Sequence, residues 1–198
     1  MDIPLKCECG KVQGIGRNVD PSSGNRLACM CDTCQAYAHY LGKAGQILDQ
    51  YGGTDIFQMT PSQLTISEGI ENLGCLKITA EGVLRWYARC CNTPVANTVS
   101  SPKVPFVGVP HTFMDHKGHG RTRDQDLGPL LARTMGEYGI GELPADAHRG
   151  IPLNIILRSL RLLLLAWLKG QSTPSPFFDA KTGEPILEPE LVYEKIKG

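Results

Sequence analysis

The feature that most constrains this chain is the placement of its cysteines. All eight fall between Cys7 and Cys91, and seven of them sit in three tight clusters. These are Cys7-Glu8-Cys9-Gly10, Cys29-Met30-Cys31-Asp32-Thr33-Cys34 and Cys90-Cys91-Asn92-Thr93-Pro94. Eight is too few for a disulfide scaffold in a chain of this length, and reduced, clustered thiols point to metal or to catalysis. In extended backbone, residues i and i+2 face the same way, so Cys7 and Cys9 can present both sulfurs to one ion. Gly10 allows a tight turn behind them. Cys90 and Cys91 are adjacent, so joint ligation requires a sharp local turn, which Asn92 and Pro94 favour.

The arithmetic suggests two ions. Cys7, Cys9, Cys90 and Cys91 supply four ligands, whereas Cys29, Cys31 and Cys34 supply three. Four protein ligands make a closed, structural site; three leave a position open, as catalytic sites do. Zinc is the expected ion because thiolate-rich tetrahedral sites select it, with iron the chief competitor. Two occupied sites are expected, though the second could stay empty. Cys75 stands alone and reads as a core residue.

The chain has 198 residues, enough for one domain with an appendage. Its 20 basic and 20 acidic side chains cancel, so no global field attracts nucleic acid. A hydrophobic content of 41% supports a real core. The start lacks a signal-peptide pattern, and no uncharged apolar run approaches the ~20 residues of a membrane span. The expectation is a cytoplasmic protein with reduced thiols.

Residues 1–110 read as mostly β, with short segments broken by glycines such as Gly52, Gly53, Gly69, Gly74 and Gly82. Residues 63–67, 75–80 and 83–87 carry strand patterns, the last two joined by a turn at Glu81-Gly82. Residues 111–198 form an extension. Residues 111–124 read as a solvated polar loop. Leu127, Leu130, Leu131, Met135 and Tyr138 suggest a short helix over 126–139. The strongest helix opens at Ile151, has Pro152 in its first turn and closes at Lys169 before Gly170. Lys181-Thr182-Gly183 marks a turn in a terminal arm.

The order and spacing of these motifs resemble the glutathione-dependent formaldehyde-activating enzyme family, also called the centromere protein V-like family. The resemblance rests on CxCG at Cys7, CxCxxC at Cys29, a cysteine followed by x-Thr-Pro at Cys91, the segment Thr65-Ile66-Ser67-Glu68-Gly69, and the strand ending at Trp86-Tyr87. It covers roughly residues 3–100. It implies a zinc-bearing, mostly β fold known as a β-tent, with a partly helical C-terminal extension added here. It also implies a structural zinc at Cys7, Cys9, Cys91 and a fourth ligand, and a second zinc at Cys29, Cys31 and Cys34 where a thiol adduct reacts. The activity implied is carbon–sulfur bond making or breaking. This chain has Ala88 where the family has a further cysteine, and Cys90 stands in its place.

The functional expectation is therefore a zinc-dependent, carbon–sulfur lyase-like enzyme acting on a small thiol adduct of the S-hydroxymethyl type. Three thiolates make an electron-rich metal, suited to presenting a soft thiolate rather than to making hydroxide. Cys31, between the other two, is the sulfur expected to leave the metal when substrate arrives. His39, five residues after Cys34, is a candidate acid or base. The alternative is a non-catalytic, zinc-stabilised binding module that uses its C-terminal helix for a partner or a membrane surface. That helix has a broad apolar face of Leu153, Ile156, Leu157, Leu160, Leu163, Leu164 and Trp167. Something must cover it: its own domain, a second copy in a homodimer, or a membrane surface. His111, Asp115, His116 and His119 could hold a further ion, but their spacing fits no standard pattern. Arg121 and Arg123 could receive an anionic substrate.

Overall fold

The computed structural model describes residues 1–192, so the last residues of the terminal arm, 193–198, lie outside it. The strands are β1 (Ile3–Lys6), β2 (Gln13–Gly16), β3 (Asn25–Cys29), β4 (Thr54–Met59), β5 (Leu64–Glu68), β6 (Leu73–Lys77), β7 (Leu84–Ala88), β8 (Thr93–Thr98), β9 (Val107–Pro110), β10 (Ala132–Thr134) and β11 (Glu190–Leu191). The helices are α1 (Asp32–Tyr40), α2 (Ala44–Ile47), α3 (Arg123–Leu127) and α4 (Leu153–Leu168). The architecture is thus mostly β, with its longest helix near the C-terminus.

Two sheets form. A three-stranded sheet has the order β1-β2-β5, and an eight-stranded sheet has the order β10-β3-β4-β9-β8-β7-β6-β11. The main core holds Ile3, Leu5, Phe57, Leu64, Trp86 and Val109, all nearly inaccessible. β7 shows why alternation fades in the middle of the large sheet. Leu84, Trp86 and Ala88 enter the core, while Arg85 is buried on the opposite face, where α1 packs. A strand covered on both faces needs no polar side. Pro94 sits within β8, opposite Tyr87, where the β7–β8 register shifts. A bulge is where a central strand tolerates proline.

The extension is woven into this framework. β10 pairs in parallel with β3, and β11 with β6, so the two edge strands of the large sheet both come from it. Phe177 is fully buried and its ring stacks on Trp86, with centroids 4.9 Å apart. The turn expected at Lys181-Thr182-Gly183 is present: Asp179 accepts hydrogen bonds from the backbone of Lys181 and Thr182, and Phe178 bridges to Pro185.

Four expectations are corrected. No helix spans residues 126–139; α3 stops at Leu127 because Gly128 adopts φ +73° and Pro129 follows. The next residues then join the sheet as β10. Gly74 lies inside β6 against the Tyr87 ring rather than breaking a segment. The first part of the segment 111–124 is packed rather than solvated: Phe113 and Met114 are buried, and buried His116 meets Asp126 at 2.5 Å, whereas Lys117, Gly118, Gly120, Arg121, Thr122 and Asp124 are exposed as expected. Finally, α1 was not anticipated in the β half. Its signal was present in Cys34, Tyr37, Ala38 and Leu41, which follow one helical face and are all buried.

Charged side chains cross-link the end of the large sheet. Arg26 donates to both oxygens of Asp55 and also to Asp124 and the carbonyl of Gly128. Arg123 donates to Asp55 from the far side. Burial alone would raise the Asp55 pKa, but the Arg26 hydrogen bonds outweigh it and hold the carboxyl below its ordinary value. Its stabilising contribution is present above the unfolded value, near pH ~3.9, and is lost as pH falls through the lower folded value. Asp55→Ala removes the buried counter-charge of Arg26 and leaves it only the exposed Asp124, so it is expected to lower unfolding free energy by about 3 kcal/mol in urea titrations. A loss under ~1 kcal/mol would mean the network carries little stability.

Candidate metal centre

Among the described residues, two groups of three or more His, Cys, Asp or Glu bring their ligand atoms within 4.8 Å of one another. They are Cys7, Cys9, Cys90 and Cys91, and Cys29, Cys31 and Cys34. Both groups could hold a metal ion, and together they are the seven cysteines that the sequence clusters.

The first group is built from two facing turns. After β1 the backbone folds back through Gly10 (φ +77°), whose N–H donates to the Cys7 carbonyl at 2.9 Å. Cys7 and Cys9 therefore meet through a turn rather than through strand alternation. The Cys7 sulfur also accepts the N–H of Val12 at 3.2 Å. The opposing turn joins β7 to β8. The N–H groups of Cys91 and Asn92 both donate to the Ala88 carbonyl, and Asn92 adopts φ +56°. That left-handed conformation is one asparagine tolerates better than most residues. This is the sharp turn that adjacent Cys90 and Cys91 require. The resulting sulfur separations are 3.6 Å for Cys7–Cys9, 3.9 Å for Cys7–Cys90, 3.2 Å for Cys9–Cys90 and 3.9 Å for Cys90–Cys91.

The second group sits where β3 passes into α1. Cys29 ends the strand, Cys31 is the helix N-cap, and Cys34 lies in the first turn with its N–H on the Cys31 carbonyl at 3.0 Å. No protein side chain with a fourth metal-ligating atom joins this group among the described residues. Arg85 reaches it from β7. Its two terminal nitrogens lie 3.8 and 3.7 Å from the Cys34 sulfur, and it also donates to Asn97 and Thr33. Its guanidinium stacks over the Tyr37 ring at 5.0 Å. Arg85 is 4% exposed, yet Cys34 and its neighbours hold its pKa up against burial, so it remains a cation.

Each group contains one sulfur favoured as thiolate. At Cys91, burial opposes ionisation, but hydrogen bonds from Thr93 and nearby backbone prevail and bring the pKa to about 6. At Cys31, hydrogen bonds with Cys29 and Cys34 push the pKa down to about 2, while Cys29 is pushed up as their protonated partner.

The other candidates are positioned differently. His39 is exposed and lies about 140° around α1 from Cys34, so it does not approach the sulfurs. Cys75 is buried in the core and its thiol is pushed up to about 12 by burial, in keeping with a packing role. His111, Asp115 and His116 do not gather into a ligand group, and the His119 side chain lies outside the described residues. Arg121 and Arg123 are engaged by Asp126 and Asp55. A cavity of about 510 Å³ lies on the opposite face of the large sheet, lined by Arg26, Ala28, Asp55, His111, Arg123 and Arg133. Its arginines are paired with aspartates. Arg85 and Thr54 are the site residues that sequence reasoning missed. Thr54 pairs with Cys29 across the strands, and its buried Oγ1 has no hydrogen-bond partner.

Comparison with known proteins places this arrangement in a family. The chain matches the family of unknown function DUF6151 over residues 1–190 and belongs to it. No curated protein matches the chain. A crystal structure of a Rhodobacter sphaeroides protein, determined in a structural genomics programme, is similar at 20% identity with a TM-score of 0.41. The match covers 66% of this chain and 97% of that one, a likeness too loose to carry a functional argument.

An ion bound only by the folded chain adds its affinity to stability. Cys7→Ser and Cys91→Ser are each expected to lower metal content by one equivalent and to reduce the melting temperature by roughly 10 °C or more. Unchanged metal content and melting in both variants would rule out a closed site at these four sulfurs.

Proposed function

We propose that this chain is a zinc-dependent, carbon–sulfur lyase-like enzyme acting on a small thiol adduct of the S-hydroxymethyl type. The observation that carries the reading is the contrast between the two cysteine groups. One gathers four sulfurs and the other three, with a buried cation beside the incomplete one. The resemblance to the formaldehyde-activating family points the same way.

The donor sets fit zinc. A tetrahedral zinc with bonds near ~2.3 Å to sulfur has sulfur–sulfur edges of about 3.8 Å. The first group's separations of 3.2 to 3.9 Å accommodate such an ion with little rearrangement. Cys29, Cys31 and Cys34 would hold the second ion, and zinc there would keep an added thiol in its thiolate form.

The surrounding residues define what such a site favours. Three thiolates exceed the charge of a divalent ion by one, and Arg85 supplies the balancing positive charge from within the fold. An incoming anionic sulfur therefore meets a neutral site rather than a repelling one. In the lyase direction, the carbon–sulfur bond of the adduct breaks, the electron pair stays on sulfur, and the hydroxyl proton passes to solvent water as the carbonyl forms. Arg85 favours that step by stabilising negative charge on sulfur. Thr54 offers a second donor: a buried hydroxyl without a partner costs about 1–3 kcal/mol, which a group held beside Cys29 can relieve. Cys31, half-buried and at the helix N-cap, is the protein sulfur best placed to yield its position.

The second reading, a zinc-stabilised binding module, is favoured by the exposed apolar surface of α4. Cobalt substitution separates the two. Titration with small thiols is expected to shift the visible bands of the cobalt protein, and Cys31→Ala is expected to abolish the shift. Arg85→Met is expected to weaken the apparent thiol affinity about tenfold or more, because it removes a buried counter-charge. Bands that stay fixed throughout the titration, in protein carrying cobalt at Cys29, Cys31 and Cys34, would favour the binding module.

A further inference from the structure

The sequence reading expects the apolar face of α4 to be covered, and the fold leaves it open. The helix packs on its domain through Ile155 and Ala166, and its polar residues tie it to the sheet. Asn25 of β3 donates to Ser159 at 2.9 Å and accepts from Arg158 at 2.5 Å. Leu153, Leu157, Leu160, Leu164 and Leu168 form the opposite stripe, and each is more than half exposed, as is Trp167 at its end. A contiguous apolar surface of this kind on a folded chain marks an interaction site.

Charge selects the occupant. Between Asp146 and Asp179 the chain has no carboxylate side chain, whereas Arg158, Arg161 and Lys169 are cationic; Arg149 already faces Glu137 at 3.6 Å. Arg161 lies at the edge of the leucine stripe near its midpoint, and Arg158 bonds only to neutral groups. A second copy docked here about a two-fold axis would bring the two Arg161 side chains together with no carboxylate in the segment to answer them. An anionic lipid surface answers them directly, takes up the leucines and suits an interfacial tryptophan. The helix has 16 residues, about 24 Å long, shorter than the ~30 Å hydrocarbon core. No helix among the described residues is long and apolar enough to cross a membrane, so α4 would lie in the plane of the surface.

We propose that α4 docks this protein on anionic membrane surfaces through the Leu153–Leu168 stripe and its flanking cations. The placement has a consequence for the cysteines. Asn25, under α4, and Cys29 lie on the same face of β3, four residues or about 13 Å apart. Docking through α4 therefore puts Cys29, Cys31 and Cys34 on the membrane-facing side of the sheet, whether or not they carry a metal.

Co-sedimentation of the full chain with phosphatidylcholine vesicles, with and without added phosphatidylglycerol, tests the proposal. Binding to the anionic vesicles is expected, with a blue shift of tryptophan emission that Trp167→Phe removes. Leu160→Glu and Leu164→Glu are expected to weaken binding by ~tenfold or more, since each removes a leucine from the lipid-facing stripe and adds an opposing charge. Arg161→Ala, which leaves the leucines intact, is expected to weaken it less and to reduce its salt dependence. Circular dichroism and urea unfolding of each variant establish that it is folded. Wild-type protein that stays unbound with both vesicle types overturns the proposal. So does a concentration-dependent dimer, lost in Leu160→Glu, that fails to bind vesicles.

Discussion

The meeting of two turns that are distant in sequence organises this fold. Cys7 and Cys90 are separated by 83 positions, yet their sulfurs lie 3.9 Å apart. The contact ties the small sheet, through β1, to the β7–β8 turn at the middle of the large one. Closing so long a loop is entropically unfavourable, and an ion that binds only once the loop is closed would offset that cost with its affinity for the folded state. Everything near the turn is arranged to keep the sulfurs together. Gly10 and Asn92 take left-handed conformations, and Thr93 binds both the Glu8 N–H and the Cys91 sulfur. Four thiols at these separations gain nothing from one another as neutral groups. They would gain much from a shared cation, and the group could hold a metal ion.

The second group follows a different logic. Cys29, Cys31 and Cys34 lie within one short segment, so they close no long loop and do little to staple the fold. Their long-range partner is instead Arg85, a buried cation carried by a central strand. Burying a guanidinium costs several kcal/mol unless it is compensated. Here the compensation comes from Cys34, Asn97, Thr33 and the face of Tyr37. A chain that needed only a stable core would fill this space with an apolar side chain. With a divalent ion, the buried cation and the three thiolates would balance to neutrality, so a further anionic ligand would not be repelled.

The ligand groups were legible in the sequence because metal-binding cysteines cluster along the chain, and clustering needs no three-dimensional knowledge. The mostly β class and the helix after Pro152 were legible for a similar reason, from periodicity and from Pro and Gly at the helix ends. The misses have specific causes. α1 was hidden because its nine residues carry a weak apolar pattern and follow directly on the cysteines. The helix proposed over 126–139 ignored the Gly128-Pro129 pair, which outweighs leucine spacing. Arg85 read as the outward residue of a half-buried strand, and only the packing of α1 over that face buries it. His39 was placed near the site by sequence proximity, but helix geometry turns it away. The direction of α4 was the hardest to foresee. Its stripe of leucines suggested a buried face, whereas Arg158 and Ser159 bind the sheet and the leucines face outward.

The central claim is that the seven clustered cysteines form two separate metal sites, one closed and one open. Metal content measured by plasma emission spectroscopy, on wild type beside a Cys29, Cys31 and Cys34 triple serine variant, tests it most directly. The account predicts two equivalents in the wild type and one in the variant, with the variant still folded and the remaining ion zinc. One equivalent in both proteins would contradict the open site, and no metal in either would contradict the account as a whole.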